Sequence, residues 1–359
     1  MASSPPQLAW QESSLSLQEL VKVPILAIPN RYICVNQEPT ISSSNSNPSI
    51  PTIDLQTLLM EETKDQGLEK LHSACKDWGI FQLVNHGVNP SVLEKLRNGI
   101  EEFYSLPLEE KLLYKVRPGE VEGYGQSSVY CDDKKVDWAD RFYMTTNPIY
   151  RRKPYLLPKL PSSLREALEA YILQLQDLSR TLLGFIAQTS KIGKREMEDM
   201  AEDGMQSMRM TYYPPCPKPE LVTGLTPHSD ATLITILHQV NGVDGLQVKS
   251  DDGNWSPVEF HPDAFVVNIG DILEIFTNGL YKSVEHRALV NSIKERISIA
   301  MFFNPKVEAE IGPSPCLTND QNPPAFKRLK MEEYVKEFFS RKLDGKSVLD
   351  RMRIPKVTT

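Results

Sequence analysis

The stretch GLTPHSDATLITIL, residues 224–237, sets His228 two positions before Asp230. In an extended chain residues i and i+2 share a side, so an imidazole and a carboxylate at this spacing can face one ion. Alone the pair is a weak signal, because His-x-Asp arises readily by chance. A later histidine, His286 in YKSVEHRALV, adds weight. Two imidazoles and one carboxylate form a face that suits ferrous iron and leaves the other octahedral positions open. The plainer alternative is a buried Asp–His hydrogen bond with His286 elsewhere. Of the remaining histidines, His72 and His86 have no acidic partner at ligand spacing, His238 continues a strand-like run, and His261 sits beside Pro262. Structural roles are expected for those four.

The run KERISIAMFFN introduces a second demand. Strand alternation puts Arg296, Ser298, Ala300 and Phe302 on one face, and Ile297, Ile299, Met301 and Phe303 on the other. The second face is core. If the first looks into a cavity, Arg296 needs an anion, since an uncompensated buried charge is costly. A guanidinium takes a carboxylate in bidentate fashion, and Ser298 can add a hydroxyl donor. An internal salt bridge to Glu285 or Glu295 is the ordinary alternative. In MRMTYYPP the same alternation groups Arg209, Thr211 and Tyr213 apart from Met208, Met210 and Tyr212, which supplies a second polar strand face.

These residues need a β framework to hold them. From about residue 205 the period is two, with strand-like segments QSMRMTYY, TLITILHQV, LQVK, AFVVNIGD, KSVEHRALV and RISIAMFF separated by turn formers. Such spacing indicates a sandwich, jelly roll or barrel. The front half reads as mainly helical. GLEKLHSACKDW is a helix stopped by Gly79, IFQLV a strand, SVLEKLRNGIEEFYSL a helix capped by Asn89 or Ser91, and a longer helix spans roughly 162–190. KMEEYVKEFFSRKLDG is a closing helix that ends at Gly345. The expected division is an N-terminal extension and linker over 1–50, a mainly helical region over 51–204, a jelly-roll core over 205–305 and a C-terminal helical segment over 306–359. The fold class is α+β.

Composition narrows the partners. With 359 residues, 40% hydrophobic and 24% charged, the chain reads as globular. A net charge of −7 argues against nucleic-acid or anionic-membrane surfaces and for a small-molecule substrate. Five scattered cysteines with no Cys-x-x-Cys pair suggest a reducing compartment. The start MASSPPQLAW has no secretory character and no run reaches spanning length, so a cytoplasmic, monomeric protein is expected.

Taken together, IPTIDL, DWGIFQLVNHGV, LPLEEK, EGYGQ, DWADRF, YYPPCPKP, GLTPHSDATLITIL, VVNIGDILEIFTNGLYKSVEHRALVN and ERISIAMFFNP resemble the plant 2-oxoglutarate- and Fe(II)-dependent dioxygenases along nearly the whole chain. Including the tail SRKLDGKSVLDRMRI, the likeness is stronger to the branch holding the alkaloid O-demethylases and senescence-related oxygenases. The resemblance implies that His228, Asp230 and His286 ligate iron and that Arg296 and Ser298, with Tyr213, hold the far carboxylate of 2-oxoglutarate. It also implies an organic substrate against Arg141, Tyr143, Arg209, Phe302 and Asn304. One position departs: Thr211 stands where the family usually has asparagine near the keto-acid end of the co-substrate. Dioxygen is the second co-substrate, with ascorbate as reductant in vitro.

The implied activity is hydroxylation or oxidative O-demethylation of a small, largely apolar plant specialised metabolite, with release of succinate and CO2. Desaturation or ring formation is an alternative outcome of the same chemistry. An iron enzyme without 2-oxoglutarate, a zinc hydrolase and a non-catalytic binder are the rival classes. Intact Arg296-x-Ser298 argues against the first, the lack of an obvious general base pair against the second, and the intact His228, Asp230 and His286 against the third.

Overall fold

Strands β5 (Gln206–Tyr213) and β12 (Arg296–Phe303) form where the sequence alternates, and they pair antiparallel along their whole length. The structure, a computed structural model, describes residues 16–34, 49–126, 135–339 and 345–355. In chain order the other strands are β1 (Thr52–Asp54), β2 (Ile80–Val84), β3 (Gly123–Gly125), β4 (Asp140–Asn147), β6 (Leu225–His228), β7 (Ile234–Gln239), β8 (Leu246–Lys249), β9 (Trp255–Pro257), β10 (Phe265–Ile269), β11 (His286–Ala288), β13 (Glu310–Ile311) and β14 (Leu329–Lys330). An eight-stranded sheet in the order β1-β2-β10-β7-β12-β5-β4-β3 and a four-stranded sheet in the order β6-β11-β8-β9 make the jelly roll. β13 and β14 pair separately.

The helices are α1 (Leu17–Leu20), α2 (Leu55–Leu59), α3 (Lys64–Ser73), α4 (Pro90–Ser105), α5 (Leu108–Lys111), α6 (Ser162–Ser190), α7 (Lys194–Ala201), α8 (Asp271–Phe276), α9 (Met331–Phe339) and α10 (Ser347–Met352). α4 begins as its sequence dictates: Asn89 Oδ1 accepts from Ser91 N at 2.9 Å, and Pro90 occupies the first turn, where no N–H is needed. Leu96, Ile100 and Phe103 of α4 and Leu164, Leu168 and Ile172 of α6 bury against Met208, Met210, Ile297, Ile299 and Met301 of the large sheet. Each such side chain contributes about 1.5–3 kcal/mol. The main sheet is therefore clamped on its outer face, and its inner face is left for the site.

Three elements differ from the sequence reading. The front half is not only a helical support: β1 to β4 enter the main sheet, and β4 lies directly beside β5. Six of its eight residues are buried, on both faces, so the polar–apolar alternation that marks a half-exposed strand is missing. α8 has no counterpart in the sequence reading because its six residues are too few for a helical period to stand out, and its two acidic residues, Asp271 and Glu274, are buried with the rest. The closing helix is described to Phe339; 340–344 lie outside the described residues, and α10 follows as a separate short helix.

Within the N-terminal stretch, Leu17, Ile28 and Tyr32 pack against Trp138, Cys216 and Val222. Cys34, Cys75, Cys216 and Cys316 are free thiols, and Cys131 lies outside the described residues. Among the described residues no helix is long and apolar enough to cross a membrane.

Candidate active site

The end of β6 delivers His228, the loop beyond it Asp230, and the first residue of β11 His286. His286 pairs with His228 across the β6–β11 ladder, which brings the two rings to 4.3 Å between centroids. Asp230 Oδ1 lies 3.4 Å from His228 Nε2 and 3.8 Å from His286 Nε2. All three side chains are buried, and one ligand atom from each falls within 4.8 Å of the others. Spacing two apart along the chain and one cross-strand pair are enough to build this face.

The hydrogen bonds leave the right atoms open. His228 Nδ1 donates to the Thr226 carbonyl at 2.8 Å and His286 Nδ1 to the Val284 carbonyl at 3.2 Å, which leaves each Nε2 lone pair pointing at the common centre. Asp230 Oδ2 accepts from Thr235 Oγ1 at 2.7 Å and Asn268 Nδ2 at 2.9 Å, so Oδ1 is the oxygen that remains. Burial pushes the Asp230 carboxyl up, but the two imidazoles and the Thr235 hydroxyl outweigh it and hold the group well below the usual carboxylate range. His286 is pushed down to about 4 by burial, then by His228. Two imidazoles and one carboxylate oxygen from one side fit Fe(II).

Behind this face lies a cavity of about 60 Å³, lined among others by Thr211, Tyr213, Asn268, Arg296 and Ser298. Arg296 is 2% exposed. Among the described residues it contacts Ser298 Oγ at 3.5 Å and the face of the Tyr213 ring, 5.0 Å from the guanidinium carbon, and its Nε has no hydrogen-bond partner there. The two alternative carboxylates are engaged elsewhere: Glu295 accepts from Tyr212 Oη at 2.8 Å, and Glu285 lies 3.6 Å from Lys249 Nζ. A buried guanidinium with no carboxylate beside it among the described residues suits an anion. Gly245 makes room for it, since a Cβ there would lie 2.9 Å from Arg296 Cδ. Thr211 pairs with Ser298 in the β5–β12 ladder, so it faces the cavity and not the core.

On the open side a larger cavity of about 180 Å³ is lined by Arg141, Tyr143, Arg209, His228, Asp230, Phe302 and Asn304, with Met331, Val335 and Phe338 from α9. Arg209 and Phe302 border both cavities. Tyr143 Oη donates to Ser207 Oγ at 3.0 Å, and its ring lies 6.4 Å from that of Phe302. Among the described residues Arg209 Nε and one terminal nitrogen are buried without a partner, as is Asn304 Oδ1. The wall is thus apolar with polar atoms left over for a ligand.

The model of the 2OG-Fe(II) oxygenase superfamily matches residues 204–305, and that of the "non-haem dioxygenase in morphine synthesis N-terminal" matches 50–162. The chain is 49% identical over 339 residues to "Oxoglutarate-dependent flavonoid 7-O-demethylase 1" of Ocimum basilicum, across 94% of this chain and 91% of that protein. The chain belongs to the 2OG-Fe(II) oxygenases. Codeine O-demethylase of Papaver somniferum is 48% identical across 94% of this oxygenase and 96% of its own length. The solved structure of JOX2 in complex with 2OG, Fe and JA superposes with a TM-score of 0.85 at 35% identity, covering 94% of this chain and 97% of that one. The oxygenase is an enzyme that uses Fe(II) and 2-oxoglutarate.

Several residues of the site escaped the sequence. Thr235 and Asn268 hold the outer oxygen of Asp230, and Asn268 had a signal: one amide in the otherwise apolar FVVNI strand. Gly245 and the three α9 side chains had none, because only the folded chain brings them there. The histidines set aside stay apart from the centre: His72 contacts Tyr281 Oη at 2.9 Å, His86 the Asp263 carbonyl at 3.0 Å, and His261 the Pro262 carbonyl at 2.7 Å. His238, buried near Phe265 and Tyr171, is pushed down to about 4, chiefly by burial.

Proposed function

We propose that this oxygenase hydroxylates, or removes an O-methyl group from, a small and largely apolar aromatic metabolite of the plant specialised class. His228, Asp230 and His286 are the iron ligands, and Arg296 and Ser298, with Tyr213 beside them, bind the far carboxylate of 2-oxoglutarate. Thr211 contacts its keto-acid end. Arg141, Tyr143, Arg209, Phe302 and Asn304 orient the organic substrate. The observation that carries this reading is the buried Arg296 guanidinium without an internal carboxylate, set in the cavity next to the His228, Asp230 and His286 face.

Bound iron and 2-oxoglutarate together supply the activation of dioxygen: the keto acid is oxidised to succinate and CO2, one oxygen atom enters succinate, and the other enters a substrate C–H bond. The protein's own tasks are narrower. Arg296 and Ser298 fix the keto acid at its far end, and the Nδ1–H bonds of the two histidines keep their Nε2 atoms turned to the centre. The apolar wall of Phe302, Met331, Val335 and Phe338 excludes water from the reacting carbon. Unpaired donors on Arg209 and the acceptor on Asn304 hold polar substituents of the substrate. Oxidation at an O-methyl carbon gives a hemiacetal, which collapses to formaldehyde and the free alcohol or phenol.

The flavonoid and codeine O-demethylases among the relatives favour the demethylation outcome. The enzyme works as a cytoplasmic monomer on this reading. Incubation with Fe(II), 2-oxoglutarate, ascorbate and a panel of methoxylated flavonoids, alkaloids, terpenoids and coumarins tests it, with mass spectrometry on the products. Formaldehyde equimolar with succinate and a loss of one CH2 select demethylation, and a gain of one oxygen selects hydroxylation. A product lighter by two hydrogens, with no oxygen gained, overturns the proposal in favour of desaturation.

A further inference from the structure

The tail after residue 345 has no place in the chemistry above, yet its contacts converge behind the metal strand. β6 is the edge of the four-stranded sheet, and beyond its partner β11 its other side would present unpaired backbone. Gly345 covers that side at His228 itself: its N donates to the Pro227 carbonyl at 3.2 Å, and its carbonyl accepts from Ser229 N at 3.2 Å. The position favours glycine, because φ is +52° and an added Cβ would stand 3.2 Å from the Glu285 carboxylate. His228 is therefore bracketed by His286 on one side and by the tail on the other.

A second set of contacts runs through α8. Glu274, 3% exposed, accepts from Lys346 Nζ at 3.1 Å, Arg353 at 2.6 Å and Ser283 N at 2.7 Å. Asp271, 1% exposed, accepts from Tyr334 Oη of α9 at 3.0 Å and from Ser229 Oγ at 3.1 Å. The backbone N of Asp271 donates to the Asp230 carbonyl at 2.8 Å. α8 thus carries two buried carboxylates, of which one holds the tail cations and the other joins α9 to the loop between His228 and Asp230. Among the described residues that line the two cavities, none is Gly345, Lys346, Arg353, Tyr334, Asp271 or Glu274.

We infer that Gly345, Lys346 and Arg353, together with Tyr334, are positioning residues that fix the angle at which His228 and Asp230 meet the metal. The inference rests on the metal assignment made above. Its physical ground is that partners one shell behind the ligands set ligand orientation, and their loss weakens metal affinity by about 10–100-fold. Gly345 and Asp271 stand in that shell, and Lys346, Arg353 and Tyr334 act through them, which puts their effect at the low end of that range. The same seat fixes α9, whose Met331, Val335 and Phe338 wall the larger cavity, so the tail also holds the substrate pocket at a constant distance from the metal face.

Cobalt(II) titration of the metal-free full-length protein, read by visible absorption, tests this without turnover. Arg353→Met and Lys346→Met are expected to weaken cobalt binding about tenfold and to alter the absorption bands. Arg351→Gln, which breaks only the exposed pair with Glu337 on the same segment, is expected to bind as the parent does. Lower melting temperatures for the Arg353 and Lys346 variants with parental cobalt affinity and spectrum would reduce the tail to a stability element and overturn the inference. Should Arg353→Met fail to fold, Tyr334→Phe removes a single hydroxyl, and unchanged cobalt binding there would overturn it equally. Parental binding by His228→Ala would sink the metal assignment itself, a different failure from that of the tail.

Discussion

Asp140 on β4 and Arg296 on β12 both flank β5 near one end of the main sheet, Asp140 opposite Tyr212 and Arg296 opposite Tyr213. Neighbouring residues of a strand point to opposite faces, so these two buried charges occupy the two sides of one sheet. Asp140, 0% exposed, accepts from Leu17 N at 2.7 Å, Gln18 N and Ser16 Oγ at 2.8 Å, and Tyr124 Oη at 3.3 Å. Burial raises its carboxyl above the usual range while those donors pull against the rise. On the outer face, then, the protein completes a buried charge and uses it to pin α1 to the sheet. On the inner face it leaves a buried charge incomplete. On the proposed reading, the difference separates a group that serves folding from one reserved for a ligand.

Asp230 belongs with Arg296 in this division, since the protein satisfies one of its oxygens and leaves the other open. Asp230→Ala is expected to abolish succinate formation in a folded protein, as are His228→Ala and His286→Ala; near-parental turnover in any of them would remove the metal ligands from the ligand-serving class. Arg296→Met should raise the 2-oxoglutarate KM by about a hundredfold, the scale of truncating a buried charged pair, with a melting temperature equal to or above the parent's. Arg296→Lys should fall between, because the ammonium keeps the charge without the planar fork. A lowered melting temperature with an unchanged KM would move Arg296 into the class of Asp140.

Asp140→Ala is expected to behave in the opposite way. Leaving the backbone donors of Leu17 and Gln18 without their acceptor costs about 2–3 kcal/mol, so chemical denaturation should show a stability loss of that size with the 2-oxoglutarate KM unmoved. A shifted KM would show that the two faces are coupled through β5. The smallest expected effect is at Thr211, whose single hydroxyl stands beside Ser298. Thr211→Asn adds a second donor reaching further into the cavity and should lower the 2-oxoglutarate KM several-fold, about 1 kcal/mol for one neutral hydrogen bond. A raised KM, or a large fall in melting temperature, would count against a co-substrate role for Thr211.

The same contrast explains what the sequence could reveal. Arg296, Ser298, Thr211 and Tyr213 were legible because β5 and β12 are long, and period two alone decides which side chains share a face. Their placement along one cavity follows from the ladder. β4 was not legible, since Phe142 and Met144 are buried on one side while Arg141 lines the larger cavity on the other. α8 is too short for its period to be read, and the bond of Asp271 to Tyr334 joins positions 63 residues apart. No local pattern encodes contacts of that range. The tail was visible as a motif, but its partners Glu274 and Pro227 had to be found in three dimensions.

The larger cavity has two kinds of wall. Phe302 and Asn304 lie on or just beyond the strand that carries Arg296 and Ser298, whereas Met331, Val335 and Phe338 come from a helix that makes none of the hydrogen bonds around the metal face through those side chains. Inherited variation at the three α9 positions can therefore reshape what enters the pocket while the oxidising machinery stays as it is. If the larger cavity holds the organic substrate as proposed, a duplicated gene has in these three codons a place to vary specificity without touching the metal ligands, and directed evolution of this enzyme can begin there.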